Sequence, residues 1–102
     1  MTQQPLTSTE LQMINRVFAR HAEVSAAKLF GSRAKGTHTV RSDVDLVIWG
    51  QVDELGAESI AAELEELPLP YRFDVKPFAF IKLPSLREHI ERVGISIYPT
   101  SA

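Results

Sequence analysis

Apolar residues at Leu11, Ile14, Val17, Phe18 and Ala22 recur three and four apart, the spacing of one helix face. They predict a first helix over about 9–23, after a polar leader from Met1 to Leu6. Thr7-Ser8-Thr9-Glu10 has the form of a capping box, a hydroxyl followed three positions later by a glutamate. His21 falls near the expected end of this helix, where a cation suits the dipole, and reads as a plain surface histidine. The pattern then shortens. Ala26 to Phe30 is an apolar strand interrupted by Lys28 and broken by Gly31, and Ser32 to Lys35 can form one helical turn. Gly36 to Arg41 is a polar loop. Val44 to Trp49 is nearly continuous in β-branched and aromatic residues and reads as a second strand ended by Gly50.

Helical spacing returns at Ala57, Ile60, Ala61, Leu64 and Leu67, predicting a second long helix over about 53–66. Its glutamates, Glu54, Glu58, Glu63, Glu65 and Glu66, read as a solvated acidic face, and Pro68 and Pro70 end it. Tyr71, Phe73 and Val75 alternate with Arg72, Asp74 and Lys76, the signature of a third strand over 71–77. Pro77 cannot donate to a ladder, so pairing stops there or the strand lies at an edge. Ser85-Leu86-Arg87-Glu88 looks like a second capping box, opening a helix to about Val93 with Gly94 as its stop. Ile95 to Tyr98 alternates as a strand does, or is an ordered tail laid on the core. The order α-β-(α)-β-α-β-α predicts an α+β, two-layer fold: a small mixed sheet with helices packed against it. Sheet order is not readable from this pattern.

Length and composition narrow the picture. The 102 residues make one domain, 1–102, large enough to bury a real core. The net charge of −2 gives no basic field to recruit nucleic acid, which is not expected as a partner. With no cysteine there are no disulfides. No apolar run is long enough to span a membrane and no signal-peptide pattern opens the chain, so a cytoplasmic location is expected.

The candidate chemistry concentrates in Gly31-Ser32 and in Ser42-Asp43-Val44-Asp45-Leu46. Side chains two apart on a strand share a face, roughly 6–7 Å apart. Asp43 and Asp45 can therefore converge on one divalent ion or on a pair of them. Alone, such a pair more often marks a solvated strand start. Gly31-Ser32 just upstream changes that, since a Gly turn entering a helix presents N–H groups to an anion. Ser32 adds a hydroxyl, and Arg33 and Lys35 add positive charge. Gly31 and Gly36 have the spacing of P-loop glycines, but Thr37 and His38 follow where Lys and Ser or Thr are needed, so a P-loop is rejected. Asp74, mid-strand among Phe73, Val75 and Phe78, is a third candidate, because a buried carboxylate wants a metal, a cation or a strong hydrogen bond. An ion pair with Arg72 or Lys76 is the alternative. Taken together these residues look like a site for a nucleoside triphosphate and its metal.

The set Gly31-Ser32, Ser42-Asp43-Val44-Asp45-Leu46 and the distant Asp74 resembles the nucleotidyltransferase superfamily of DNA polymerase β. The length and the string Phe30-Gly31-Ser32-Arg33-Ala34-Lys35-Gly36 are similar to its minimal prokaryotic nucleotidyltransferases. The resemblance implies that Asp43 and Asp45 hold two Mg2+ ions, with Asp74 binding one of them and helping to deprotonate an acceptor hydroxyl. It implies that Gly31 and Ser32 grip the β- and γ-phosphates of ATP, that Arg33 and Lys35 steady the leaving group, and that Ser42 braces or caps the metal loop. It further implies transfer of AMP to a separately encoded helical partner in a hetero-oligomer. That partner is either a HEPN toxin adenylylated on tyrosine or a substrate-binding-like bundle. Two other readings remain: a non-catalytic antitoxin that acts by contact alone, and a glycosyltransferase fragment, for which the chain is short.

Overall fold

The computed structural model describes residues 6–31 and 43–99. The first helix, α1 (Ser8–Ala19), starts where the capping box places it: the Thr7 hydroxyl accepts from the Glu10 N–H and the Glu10 carboxylate accepts from the Thr7 N–H. It stops at Ala19, earlier than its apolar pattern predicts, because the chain turns through Arg20 and His21 to start β1 (Val24–Phe30). The His21 N–H donates to the Phe18 carbonyl, and the His21 carbonyl accepts from the Val24 N–H. Then come β2 (Val44–Gly50), α2 (Glu54–Glu65) capped by Asp53, and β3 (Phe73–Pro77). A 3-10 turn (Phe78–Phe80), α3 (Pro84–Val93) and β4 (Ile95–Tyr98) complete the order.

The second expected capping box does not form. Helix α3 begins at Pro84, one residue before Ser85, with no side-chain cap. Proline has no N–H to satisfy and a fixed φ that suits the first turn, so it displaces the serine from the cap position. The third strand begins at Phe73 and not at Tyr71. The Tyr71 hydroxyl donates to Glu10 at 2.7 Å, tying that residue to α1.

The four strands form one mixed sheet in the order β3-β2-β1-β4. β1 pairs antiparallel with β2 and with β4, while β2 and β3 run parallel, joined by α2 as the crossover helix. The expected α+β fold with a small mixed sheet is the fold observed, and Ile95–Tyr98 is a paired strand.

Strand alternation divides the sheet into two faces. On one, Leu29, Val44, Leu46 and Ile48 meet Ile14, Val17 and Phe18 of α1 and Ile60 and Leu64 of α2 in the main core. Each such side chain contributes about 1.5–3 kcal/mol by leaving water. On the other, Val47 packs with Phe78, Ile81 and Ile90, flanked by Phe30 and Trp49. Trp49 stacks on Phe78 at 4.7 Å between ring centroids. The Arg87 guanidinium lies 4.2 Å from the Phe78 ring centroid and donates to the Phe78 and Ile81 carbonyls, pinning the 3-10 turn to α3.

The glutamates of α2 are not all simply solvated. Glu63 pairs with Arg20 at 3.1 Å and with His21. Glu65 accepts from the Phe73 N–H at 3.1 Å. His21, expected as a plain surface residue, is half-buried between Glu63 and Glu23. These contacts tie the end of α1 and the start of β3 to one helix.

Candidate active site

The site grows from the N-terminal end of β2. The Val44 N–H donates to the Arg72 carbonyl at 2.8 Å, which opens the parallel ladder with β3. The next rungs pair Val44 with Phe73 and Asp45 with Asp74. Val44 and Phe73 point into the core; Asp45 and Asp74 therefore share the opposite face on neighbouring strands, whose backbones lie about 4.8 Å apart. On the other side of β2, Asp45 pairs with Phe30, the last residue of β1. Asp43 sits just before β2 and is exposed.

Gly31 follows Phe30 with φ +78°, a conformation that favours glycine. A β-carbon there would lie 2.5 Å from Asp45 Oδ2, so the carboxyl group of Asp45 rests against the space glycine leaves open. Half-burial raises the pKa of Asp45, the negative charges of Asp74 and then Asp43 raise it further, and the Lys76 ammonium acts in the opposite sense. Burial and two neighbouring carboxylates thus press on this group, and its oxygen donors fit a hard divalent cation.

Asp74 is less buried than its neighbours in sequence suggest. Phe73 and Val75 point to the core, while Asp74 lies on the other face and is half exposed, with Lys76 Nζ 3.2 Å from its Oδ2. The ion pair held open as an alternative is therefore present. Among the described residues, no three Asp, Glu or His side chains are drawn together tightly enough to hold a metal ion in their present rotamers. The backbone brings Asp45 and Asp74 onto one rung, Asp43 lies next to that rung, and the Asp74 carboxylate is turned to the lysine. Ser32, Arg33, Lys35 and Ser42, with the helical turn expected over Ser32 to Lys35, lie outside the described residues. Lys76 was legible as a neighbour of Asp74 at strand spacing, but its influence on Asp45 depends on the pairing of β2 with β3.

Clefts mark two regions of interest. One of about 190 Å³ runs beside β3 and is lined by Glu54, Glu58, Asp74, Val75, Lys76 and Pro77. A larger one of about 470 Å³ lies at the far end of β2, beside Gly50, Val52 and Phe80, and contains none of the candidate residues. Chemistry and not volume singles out the first.

The family model described as "Polymerase beta, Nucleotidyltransferase" matches residues 12–102. The chain belongs to this family. No curated protein matches the sequence. Among solved structures, this polymerase beta-type nucleotidyltransferase is similar to a chain of a toxin-antitoxin complex with AMP-PNP, at TM-score 0.72 and 18% identity, covering 94% of this chain and 76% of that one. It is similar to a chain of the toxin-antitoxin MntA-HepT at TM-score 0.70 and 14% identity, covering 92% and 74%. A third similarity, at TM-score 0.70 and 14% identity and covering 93% and 74%, is to a chain of a tri-AMPylated Shewanella oneidensis HEPN toxin in complex with MNT antitoxin. At such identities the likeness is one of fold. Among the described residues of this nucleotidyltransferase, no helix is long and apolar enough to cross a membrane.

Proposed function

We propose that the protein transfers AMP from ATP to a hydroxyl group on a separately encoded helical partner of the HEPN type, and so acts as an antitoxin. The observation that carries this is the rung joining Asp45 to Asp74, with the Asp45 carboxyl seated against Gly31 and Asp43 beside it. Two carboxylates placed opposite one another repel, and a divalent cation joining them would offset that cost. That solved chains of the same fold include one with AMP-PNP and one beside an AMPylated HEPN toxin supports the choice of nucleotide and partner.

In this reading Asp43, Asp45 and Asp74 hold two magnesium ions, which would supply charge neutralisation at the α-phosphate and ease ionisation of the acceptor. The residues of the chain do the positioning. Gly31 lets the β- and γ-phosphates come close to the backbone, and Ser32 donates its hydroxyl to them. Arg33 and Lys35 offset the charge of the leaving pyrophosphate, and Ser42 steadies the loop before Asp43. The acceptor oxygen forms a bond to the α-phosphorus as the bond to the bridging oxygen breaks, and the proton passes to the Asp74 carboxylate or to water. Most of the rate comes from orientation and electrostatics. The reaction belongs in the cytoplasm, where ATP is available.

The test is incubation of the protein with a HEPN-type partner, magnesium and α-labelled ATP. Label should appear on the partner with the wild type and not with Asp43→Asn/Asp45→Asn. No transfer by the wild type, or equal transfer by the variant, overturns the reading. One observation favours a second reading, a non-catalytic antitoxin acting by contact: the Asp74 carboxylate is already neutralised by Lys76. Equal neutralisation of the toxin in cells by the double-Asn variant would select it.

A further inference from the structure

Lys76 stands two residues beyond Asp74 on the same face of β3, opposite Val47. Its ammonium lies 3.2 Å from Asp74 Oδ2, and both side chains are 49% exposed. The ammonium thus sits against the Asp74 carboxylate on the strand face that also carries Asp45, a place where a divalent cation fits by charge.

The same lysine lines the cleft of about 190 Å³ beside β3, together with Glu54 and Glu58. These glutamates are one turn apart at the start of α2, so both present carboxylates to one side of the helix. A lysine released from Asp74 therefore has a second acidic environment within its own cleft. Lysine suits such an exchange: its charge is compact, its stem is flexible, and an exposed pair of this kind is held only weakly.

We propose that Lys76 is a positioning residue that competes with a divalent ion for Asp74, holding that carboxylate in the observed pair and moving toward Glu54 and Glu58 when the ion binds. This rests on the metal-dependent reading of the site given above. Without the lysine, Asp74 loses the ammonium that pairs with it among the described residues, on a rung it shares with Asp45. With it, the carboxylates stay in place, and an incoming ion must displace a weak competitor. Lys76 therefore lowers metal affinity while keeping the metal-free site ordered.

The experiment measures Mn2+ binding to the full chain at low ionic strength by electron paramagnetic resonance, for wild type, K76M and K76R, with thermal melts in EDTA and in saturating Mn2+. Removing one positive charge a few ångströms from the ion should tighten Mn2+ binding about two- to fivefold in K76M. K76R should return the affinity to the wild-type value or below it. K76M should melt lower than wild type in EDTA and close that gap in Mn2+. A lysine with a merely structural role would lower both melts equally and leave affinity unchanged. Unchanged or weaker Mn2+ binding by K76M overturns the proposal while leaving the metal site standing. No Mn2+ binding by the wild type overturns both.

Discussion

Replacing Gly31 by alanine separates two roles that meet at one atom. The first is conformational. At φ +78° an L-residue is strained by about 1–2 kcal/mol, more than alanine regains by restricting the unfolded chain. For a domain of this size each kcal/mol lowers the melting temperature by about 4–8 °C. The second role is steric. The new β-carbon would stand 2.5 Å from Asp45 Oδ2 and 3.3 Å from its Cγ. An ordinary contact is about 3.4 Å or more, so the carboxyl oxygen must retreat by roughly 0.9 Å. Asp45 is a short side chain on a strand, so it makes that move by rotating about its own bonds, which shifts the carboxyl from its place on the rung with Asp74. Ion coordination tolerates displacements of about 0.2 Å, so Mn2+ affinity should fall about tenfold or more. Urea unfolding in EDTA measures the first effect and a Mn2+ titration the second. An unchanged urea midpoint would refute the left-handed conformation. A lowered midpoint with unchanged Mn2+ affinity would refute the seating of Asp45 against Gly31.

Two further predictions concern charge. Asp45 has a folded pKa raised above its unfolded value, so its ionisation costs stability as pH rises through the carboxylate range. Asp45→Asn should raise the urea midpoint of the metal-free protein at pH 7, and the gain should vanish well below ~pH 4, where the native carboxyl is protonated in both states; a variant no more stable at pH 7 would count against the crowding of charge at this rung. Glu63 is shifted the other way: the Arg20 guanidinium above all, with help from the His21 ring, holds its carboxyl below the usual range against the opposing effect of desolvation. Its contribution is present above the unfolded pKa and lost as pH falls through the folded one. Glu63→Gln should cost about 0.5–1 kcal/mol near pH 6 and nothing at the acid end of a pH series of chemical melts, and a pH-independent loss would contradict the pairing.

The chain announces its elements through period. Alternation at 71–77 and helical spacing at 57–67 come from local geometry that every residue carries with it, so the described strands and helices appear near the expected places, with some ends shifted by two to four residues. Pairing is different. That β1 lies between β2 and β4, and that Asp45 faces Asp74, depends on contacts between distant segments which no local period encodes. The same limit explains Asp74. In sequence it sits between apolar residues, yet on a strand those neighbours point to the other face, and half of the side chain meets water. At Ser85 a local rule met a stronger one, since Pro84 already suits the first turn. At His21 the deciding partner, Glu63, is far along the chain. Gly31, Asp43 and Asp45 stood out as candidates because turn and acidic residues are rare at the ends of apolar strands, and Asp74 because a carboxylate is rare within one. Lys76, which pairs with Asp74, carried no sequence mark beyond its spacing.

The rung between residues 45 and 74 is set by main-chain pairing of β2 with β3 and not by side-chain contacts. The separation of those two acidic groups is thus inherited from the architecture. In the proposed metal-bound state no segment of β2 or β3 would have to order itself to bring them into range, so the ions would cost the backbone of these two strands little entropy. Under the proposed transfer, successive turnovers would begin from the same spacing, with only the side-chain tips to reset.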